Sequence, residues 1–429
     1  MFLVGKSLPS SRPTRLFESR SARHLWQPAF IFTNHRHARR GLKTVVEAVA
    51  PVSIEDFRRD AFHAQKPLLI RPSSILFTDQ QNDTADTETS TSSTSPTLPA
   101  LTKWFTTSST SGKASLTPYL DNFRSTILPY ELSNPNSAQV LDFISWLESS
   151  STATSSDLNP DSYSDSDSQS RLVLAHLLKT YISHHPSSPS PESEFLILDL
   201  PLHLILLAHQ YNSSLSSPSP PFNSTAPSHD RKPLTNLYIA QAPLSHIPSP
   251  LQSDLPTPLL VSHAGKGDIY SSSIWLGLQP TYTPWHRDPN PNLFCQLCGT
   301  KTLRLMPPKR GEALFRGVMA SLLAAGNPRM RGDEMMKGEQ RRVLERAVWG
   351  GTGRTGRTGP GGPDGGTKGQ GQEQEQQGLG QGYADEMMYE VTVRAGDMLF
   401  MPLGWWHSVK SEEGGEEGGI NGSVNWWFR

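Results

Sequence analysis

Cysteine is nearly absent: 429 residues carry 2 of them. That is too few for a disulfide framework or a four-thiolate zinc site, which excludes a stapled secreted scaffold. Net charge is missing as well. With 39 Lys+Arg against 40 Asp+Glu the chain sits at −1, so polyanion binding is not its overall theme. No long apolar run occurs either. The most extended one, around Phe195 to Ala208, is interrupted by Asp199, Pro201 and His203 and is too short to span a bilayer. Apolar residues make up 35%, below the roughly 45–50% of an ordinary globular domain. Part of the chain is therefore expected to lie outside any core, while the rest still suffices for one large domain or two ordinary ones. Together these shortages point to a soluble protein of a reducing compartment.

What is abundant is unevenly placed. Residues 1–46 hold nine Lys/Arg, five Ser and a single acid, Glu18, with Arg39 and Arg40 as a processing neighbourhood. That is the composition of a mitochondrial targeting leader, and the alternative is a basic tail of a nuclear or cytoplasmic protein that binds nucleic acid. Nothing outside this leader supports nucleic-acid binding. Residues 47–233 read as a helical and strand support region. Ser53 before Glu55 and Asp56 marks a helix start near Val52, and KPLLIRP reads as a strand between prolines. AQVLDFISWLE and RLVLAHLLKTYI have helical period, and EFLILDLPLHLILLAHQY reads as a buried strand and helix pair. Residues 78–100, 149–170 and 212–232 are Ser/Thr/Pro/Asp-rich and read as disordered insertions.

From residue 234 to 429 the texture changes to short β-branched and aromatic runs punctuated by Gly and Pro, the pattern of a sandwich or barrel. A Gly-rich insertion at 350–382 interrupts it and is expected to loop out. Its Gly351-Thr-Gly353-Arg-Thr-Gly356 string matches a dinucleotide fingerprint only in letters, since no strand precedes it and no amphipathic helix follows. Cys295 and Cys298 form a C-x-x-C within a strand-like run. Three residues apart on a strand they face opposite sides, so both read as small core residues rather than a redox or zinc pair.

Chemistry concentrates in two stretches. TPWHRDPNPNLFCQLCGTKTLRLMPP carries His286 and Asp288, whose spacing on an extended strand puts both side chains on one face. GDMLFMPLGWWHSV carries His407 just past a strand, between Trp405 and Trp406 on one side and Ser408 on the other; the indoles are expected to wall a site against water. Two imidazoles and one carboxylate form the facial triad suited to non-haem Fe(II), with three coordination positions open.

On these stretches, together with LYIAQAPL, IWLG and SVNWWFR, the region from Leu234 to Arg429 resembles the JmjC (cupin-like) family of Fe(II)/2-oxoglutarate-dependent oxygenases, most of all its small hydroxylase-type members. The resemblance implies a mainly β fold with flanking helices (α+β), a double-stranded β-helix or jelly-roll barrel. It implies His286, Asp288 and His407 as metal ligands, Fe(II) as cofactor, and 2-oxoglutarate and O₂ as cosubstrates. Lys301 matches the lysine that pairs with the distal carboxylate of 2-oxoglutarate. Tyr238, Thr283 and Asn292 fall where the family hydrogen-bonds that cosubstrate, Asn425 falls beside it, and Trp275 and Trp427 fall among residues lining the substrate pocket. A buried dicarboxylate needs such a cation and such hydroxyls, because an unpaired buried charge is expensive. Taken without the flanking motifs, Lys301 would read as an ordinary strand-end surface lysine.

The implied activity is hydroxylation of a protein or peptide side chain. N-methyl-lysine demethylation, oxidation of a tRNA base and a non-catalytic cupin scaffold are the rivals, in that order. Oligomeric state is left open. If residues 1–46 are a transit peptide, a fluorescent fusion of the whole chain should label mitochondria and a fusion lacking the leader should not; one nuclear or cytosolic pattern from both would refute it.

Overall fold

Strands begin earlier than the sequence suggests. The computed structural model describes residues 42–72, 98–108, 113–149, 163–184, 195–215, 231–235, 237–322, 338–350, 388–411 and 417–429. Its first strands, β1 (Lys43–Thr44) and β2 (Val46–Val49), precede the expected start at Val52. β3 (Leu68–Arg71) is the strand between prolines. A small pair, β4 (Phe105–Thr107) and β5 (Ala114–Leu116), stands apart, and β6 (Ile127–Ser133), β7 (Phe195–Pro201) and β8 (Leu237–Pro243) follow. Eight further strands complete the chain: β9 (Ile269–Leu278), β10 (Tyr282–Arg287), β11 (Asn292–Cys298), β12 (Thr300–Met306), β13 (Tyr389–Arg394), β14 (Met398–Met401), β15 (Trp406–Ser411) and β16 (Ile420–Phe428).

Those last eight strands make the barrel. They divide between two sheets, β14-β11-β16-β9 and β13-β12-β15-β10, which is the jelly-roll arrangement that the resemblance implies. Leu69, Phe294, Leu399 and Met401 from one sheet meet Leu303, Leu305, Val393 and Val409 from the other in a common interior. The support region is built into the same sheets. β3 and β2 extend the first sheet beyond β14, β8, β6 and β7 extend it beyond β9, and β1 lies parallel to β13 at the edge of the second. Outward-facing Leu293, Cys295 and Leu297 of β11 pack against the elements of residues 52–215. Because β11 is covered on both faces, all seven of its residues are buried and its sequence shows no alternation.

Two helices cover the outer face of the second sheet, Pro308–Ser321 and Gly338–Trp349. Their Phe315, Met319, Leu344 and Val348 bury Trp285 and Trp406, whose rings lie 6.0 Å apart and nearly parallel. Arg304 of β12, 1% exposed, ties this layer down: it pairs with Glu390, donates to the Val348 carbonyl and lies over the Trp349 ring.

Several expectations need correction. Trp406 does not wall the site; it points outward into the helical layer, and Trp405 donates to the Gln65 carbonyl. Residues 163–170, read as disordered, begin the helix Tyr163–His184, where Asp167 pairs with Arg124 and Arg171 and Ser170 bonds His203. Residues 212–215 end the helix His203–Leu215, with Asn212 buried and bonded to Leu234 and Gly418. Leu98 and Ala100 are core residues. A leader reaching residue 46 would remove Lys43–Val45, although Thr44 pairs with Glu390 and Val45 is buried inside the barrel. Residues 1–41, 73–97, 150–162, 216–230 and 351–387 lie outside the described residues, with the rest of the leader and of the low-complexity tracts. Cys295 and Cys298 are free and buried, as expected of core residues, and burial pushes both thiols up, Cys298 to about 12, which disfavours the thiolate.

Gly311, in the helix Pro308–Ser321, is needed for its lack of a side chain: a Cβ there would lie 2.2 Å from Cγ of Trp406. Gly→Ala inside a helix ordinarily stabilises by about 1 kcal/mol. Here the clash reverses the sign, and Gly311→Ala should destabilise by about 1–3 kcal/mol through overpacking. Calorimetry should record a lower Tm, and an unchanged or higher one would contradict this packing.

Candidate metal centre

Register places the two imidazoles. β10 and β15 pair antiparallel with His286 opposite His407, after an irregularity between Thr283 and His286. Each histidine follows a tryptophan, Trp285 and Trp406, that faces the outer layer, so alternation along the strand turns both imidazoles inward. Their ring centroids are 4.2 Å apart. Nδ1 of His286 lies 2.8 Å from the Pro284 carbonyl, and Nδ1 of His407 lies 3.2 Å from the Trp405 carbonyl. A carbonyl only accepts, so Nδ1 carries the proton in both rings and Nε2 keeps its lone pair for a ligand.

Asp288 lies just beyond the end of β10 and faces both rings. Oδ1 is 3.7 Å from Nε2 of His286, and Oδ2 is 3.7 Å from Nε2 of His407. The three ligand atoms lie within 4.8 Å of one another. An amide relay holds the carboxylate: Asn292 Nδ2 donates to Asp288 Oδ2 at 2.9 Å, and Asn425 Nδ2 donates to Asn292 Oδ1 at 2.9 Å. Oδ1 of Asn425 is buried without a hydrogen-bond partner among the described residues. Two neutral imidazoles and one carboxylate, oriented by carbonyls and amides behind them, fit a divalent transition metal with open positions, Fe(II) above all.

A cation is set apart from the triad in the same cavity. Lys301 of β12 is 2% exposed. Its Nζ donates to Ser423 Oγ at 2.8 Å and to Tyr238 Oη at 3.3 Å, and it lies 5.7 Å and 5.5 Å from the ring centroids of Tyr238 and Phe294. All ten residues expected from the sequence, Tyr238, Trp275, Thr283, His286, Asp288, Asn292, Lys301, His407, Asn425 and Trp427, line one narrow cavity of about 30 Å³. A wider chamber of about 350 Å³ shares Trp275, His286, Asp288 and Trp427 with it. His286 and Asp288, with Trp275 and Trp427, thus stand between an inner cavity with a buried ammonium and an outer chamber.

Sequence reasoning missed Ser423, Phe294, Met401 and Val409. Ser423 had a signal. It lies two and four residues before Asn425 and Trp427 on β16, on the same face of the strand. Asn292, expected at the cosubstrate, gives its side-chain N–H to Asp288 and so also orients a ligand.

Known proteins resemble this chain in sequence. The family described as "Cupin-like domain" matches residues 214–429. The chain is 36% identical over 83 residues to Lysine-specific demethylase JMJ30 of Arabidopsis thaliana, 19% of each chain. It is 40% identical over 50 residues to JmjC domain-containing protein D of Dictyostelium discoideum, 12% of this chain and 11% of that protein. With Lysine-specific demethylase JMJ32 of Arabidopsis thaliana it is 23% identical over 156 residues, 36% of this chain and 41% of that one. The chain therefore spans less than half the length of each of these curated relatives. With half of its length matched, and the triad and barrel in place, the chain belongs to the cupin-like domain family, in its JmjC form.

Proposed function

We propose that the chain is an Fe(II)- and 2-oxoglutarate-dependent oxygenase that hydroxylates a protein side chain. The observation that carries this reading is one cavity with a His-Asp-His triad at its wall and a buried lysine inside it. A keto dicarboxylate has two ends of matching chemistry, one that chelates a metal and one that needs a cation. When bound, Fe(II) supplies the O₂ chemistry that oxidises a substrate C–H bond while 2-oxoglutarate is decarboxylated to succinate.

This chain's residues do the positioning. His286, Asp288 and His407 would hold the metal on one side and leave the other open. The Lys301 ammonium would take the distal carboxylate, with the Tyr238 hydroxyl and buried Thr283 able to complete its hydrogen bonds. Because Lys301 is already held by Ser423 and Tyr238, little side-chain freedom remains to be lost on binding. Trp275 and Trp427, 9% and 7% exposed, stand between the cavity and the chamber and would restrict water near the reacting atoms.

Demethylation of an N-methyl-lysine by the same oxidant is the second reading, and it is favoured by the names of two relatives, both lysine-specific demethylases. Mass spectrometry of products separates the two: a gain of one oxygen supports hydroxylation, loss of a methyl supports demethylation.

Two substitutions divide the site. Asp288→Ala removes the carboxylate ligand and should abolish both stoichiometric Fe(II) binding and 2-oxoglutarate turnover while the barrel stays folded, since Asp288 lies past the strand end. Lys301→Met keeps the side-chain length and removes the charge, so iron should remain while 2-oxoglutarate affinity falls by about 2–5 kcal/mol, the range for truncating a buried charge partner. Metal analysis and calorimetry read the two effects separately. An Asp288→Ala protein with full iron and full turnover would leave the scaffold reading standing.

A further inference from the structure

The outer chamber has a wall that the oxygenase reading does not use. Gln241 belongs to β8, where pairing with β9 shifts between Ile239 and Ala242, and its backbone stands in the left-handed region at φ 53°. Residues other than Gly, Asn and Asp are uncommon there. Such outliers persist where the surroundings over-determine them, which is often at binding sites, and irregular pairing beside an active site re-aims a side chain. Here Gln241 lines the 350 Å³ chamber with Trp275 and Trp427, and His286 and Asp288 border it. Among the described residues its amide makes no hydrogen bond.

Beside Gln241 the sheet has an edge that is open among the described residues. β8 pairs with β9 as far as Pro243 with Ser273, while Ile269–Ser272 continue along β16 with no described strand on their other side. Tyr270, 55% exposed, and Ser271 lie on this stretch and line the chamber. Unpaired main-chain groups of a strand are satisfied by a second extended chain. A helix, about 10 Å wide with its side chains, would not enter a space of this size, whereas one side chain would.

We propose that Gln241 is the specificity-determining residue of this centre. The substrate is an extended peptide segment paired with the open edge at Ile269–Ser272, and it inserts one side chain between Trp275 and Trp427 so that its polar end meets the Gln241 amide. An amide both donates and accepts. It selects a side chain ending in N–H or C=O groups over an aliphatic one or a trimethylammonium, which has neither. This proposal rests on the oxygenase reading and adds to it the class of substrate and the residue that recognises it.

The test uses the full chain with Fe(II), 2-oxoglutarate and a random peptide library, products being read by mass spectrometry, alongside Mn(II) and 2-oxoglutarate binding by calorimetry. On a peptide that the native chain modifies, Gln241→Gly and Gln241→Asn are compared. Both residues accept the left-handed backbone more easily than Gln, so Tm should not fall for either. Deleting the amide should raise KM for the peptide, and Gln241→Gly should lose kcat/KM about tenfold or more, the scale of a lost hydrogen bond. Gln241→Asn, which keeps the amide, should recover part of that loss. A Gly variant that matches the native chain, or equal losses in both variants with lowered Tm, overturns the proposal. So does a chain that binds Mn(II) and 2-oxoglutarate yet modifies a tRNA pool and no peptide. Failure to bind Mn(II) and 2-oxoglutarate at all would instead remove the oxygenase reading, and this proposal with it.

Discussion

Pairing of β10 with β15 is the constraint on which the rest of the structure depends. It sets His286 opposite His407, and because side chains alternate across a strand, a slip of one residue in either strand would turn its imidazole out of the barrel. The register is fixed from outside. Each ligand is the second half of a Trp-His pair, and Trp285 and Trp406 are both fully buried under the helices Pro308–Ser321 and Gly338–Trp349. Burying an indole of about 150–250 Å² at about 25 cal/mol/Å² is worth on the order of 4–6 kcal/mol. Moving either histidine to the outer face would expose its tryptophan's apolar surface to the barrel interior or to water. Packing on the outer face therefore fixes the placement of the two imidazoles on the inner one, and β12 closes the arrangement by pairing Leu305 with His407 on the other side of β15.

The second constraint is electrostatic. Lys301 is buried inside a barrel lined with Leu303, Leu305 and Val393, where a lone charge is strongly disfavoured. Two hydroxyl oxygens accept from it, and two ring faces offer their negative quadrupole. The arrangement tolerates the ammonium and is improved by an anion brought to it, and on the proposed reading that anion is the far end of a ligand whose other end meets the triad. The amide relay from Asn425 through Asn292 to Asp288 crosses the same cavity, so the metal side and the anion side share residues of β11 and β16.

That the triad and the other expected residues line one cavity was legible because they sit in short contiguous motifs, each within one strand or its end, where period two carries the geometry. Legibility ended where a partner is distant in sequence. Nothing in YSDSDSQS announces a helix; Asp167 and Ser170 hold that turn through Arg124 and His203, more than thirty residues away in each case. Residues 43–46 read as the end of a leader, whereas the two short strands there, Lys43–Thr44 and Val46–Val49, lack alternation and acquire their state by pairing with β13 and β3. Trp406 was assigned to the site because proximity to His407 in sequence was read as proximity in space, although consecutive strand residues face opposite ways. Gln241 had no sequence signal at all, since neither a left-handed backbone nor a register shift at a Gln is encoded by composition.

The N-terminal region takes part in this logic and is more than a cover. β14, the strand leading to Trp405 and His407, would be a barrel edge without β3, whose Leu68–Ile70 pair with its Met398–Phe400. Arg71 at the end of β3 binds both Glu47 and buried Asp397, the residue just before β14, which accepts the Arg394 backbone N–H. Burial pushes the Asp397 carboxyl upward, and that N–H and the Arg71 guanidinium act against the rise by favouring the ionised form. The turn before β14 is thereby locked to a strand some 320 residues earlier in the chain. The proposed chemistry and the proposed recognition consequently rest on different parts of one sheet system. Metal and anion groups come mainly from β10, β11, β12, β15 and β16, while the outer chamber takes Gln241 from β8 and Tyr270 and Ser271 from the start of β9. Changes at β8 and the start of β9 can reshape what enters the chamber without disturbing the register that holds the triad, because the β10–β15 pair shares no backbone hydrogen-bond ladder with either strand.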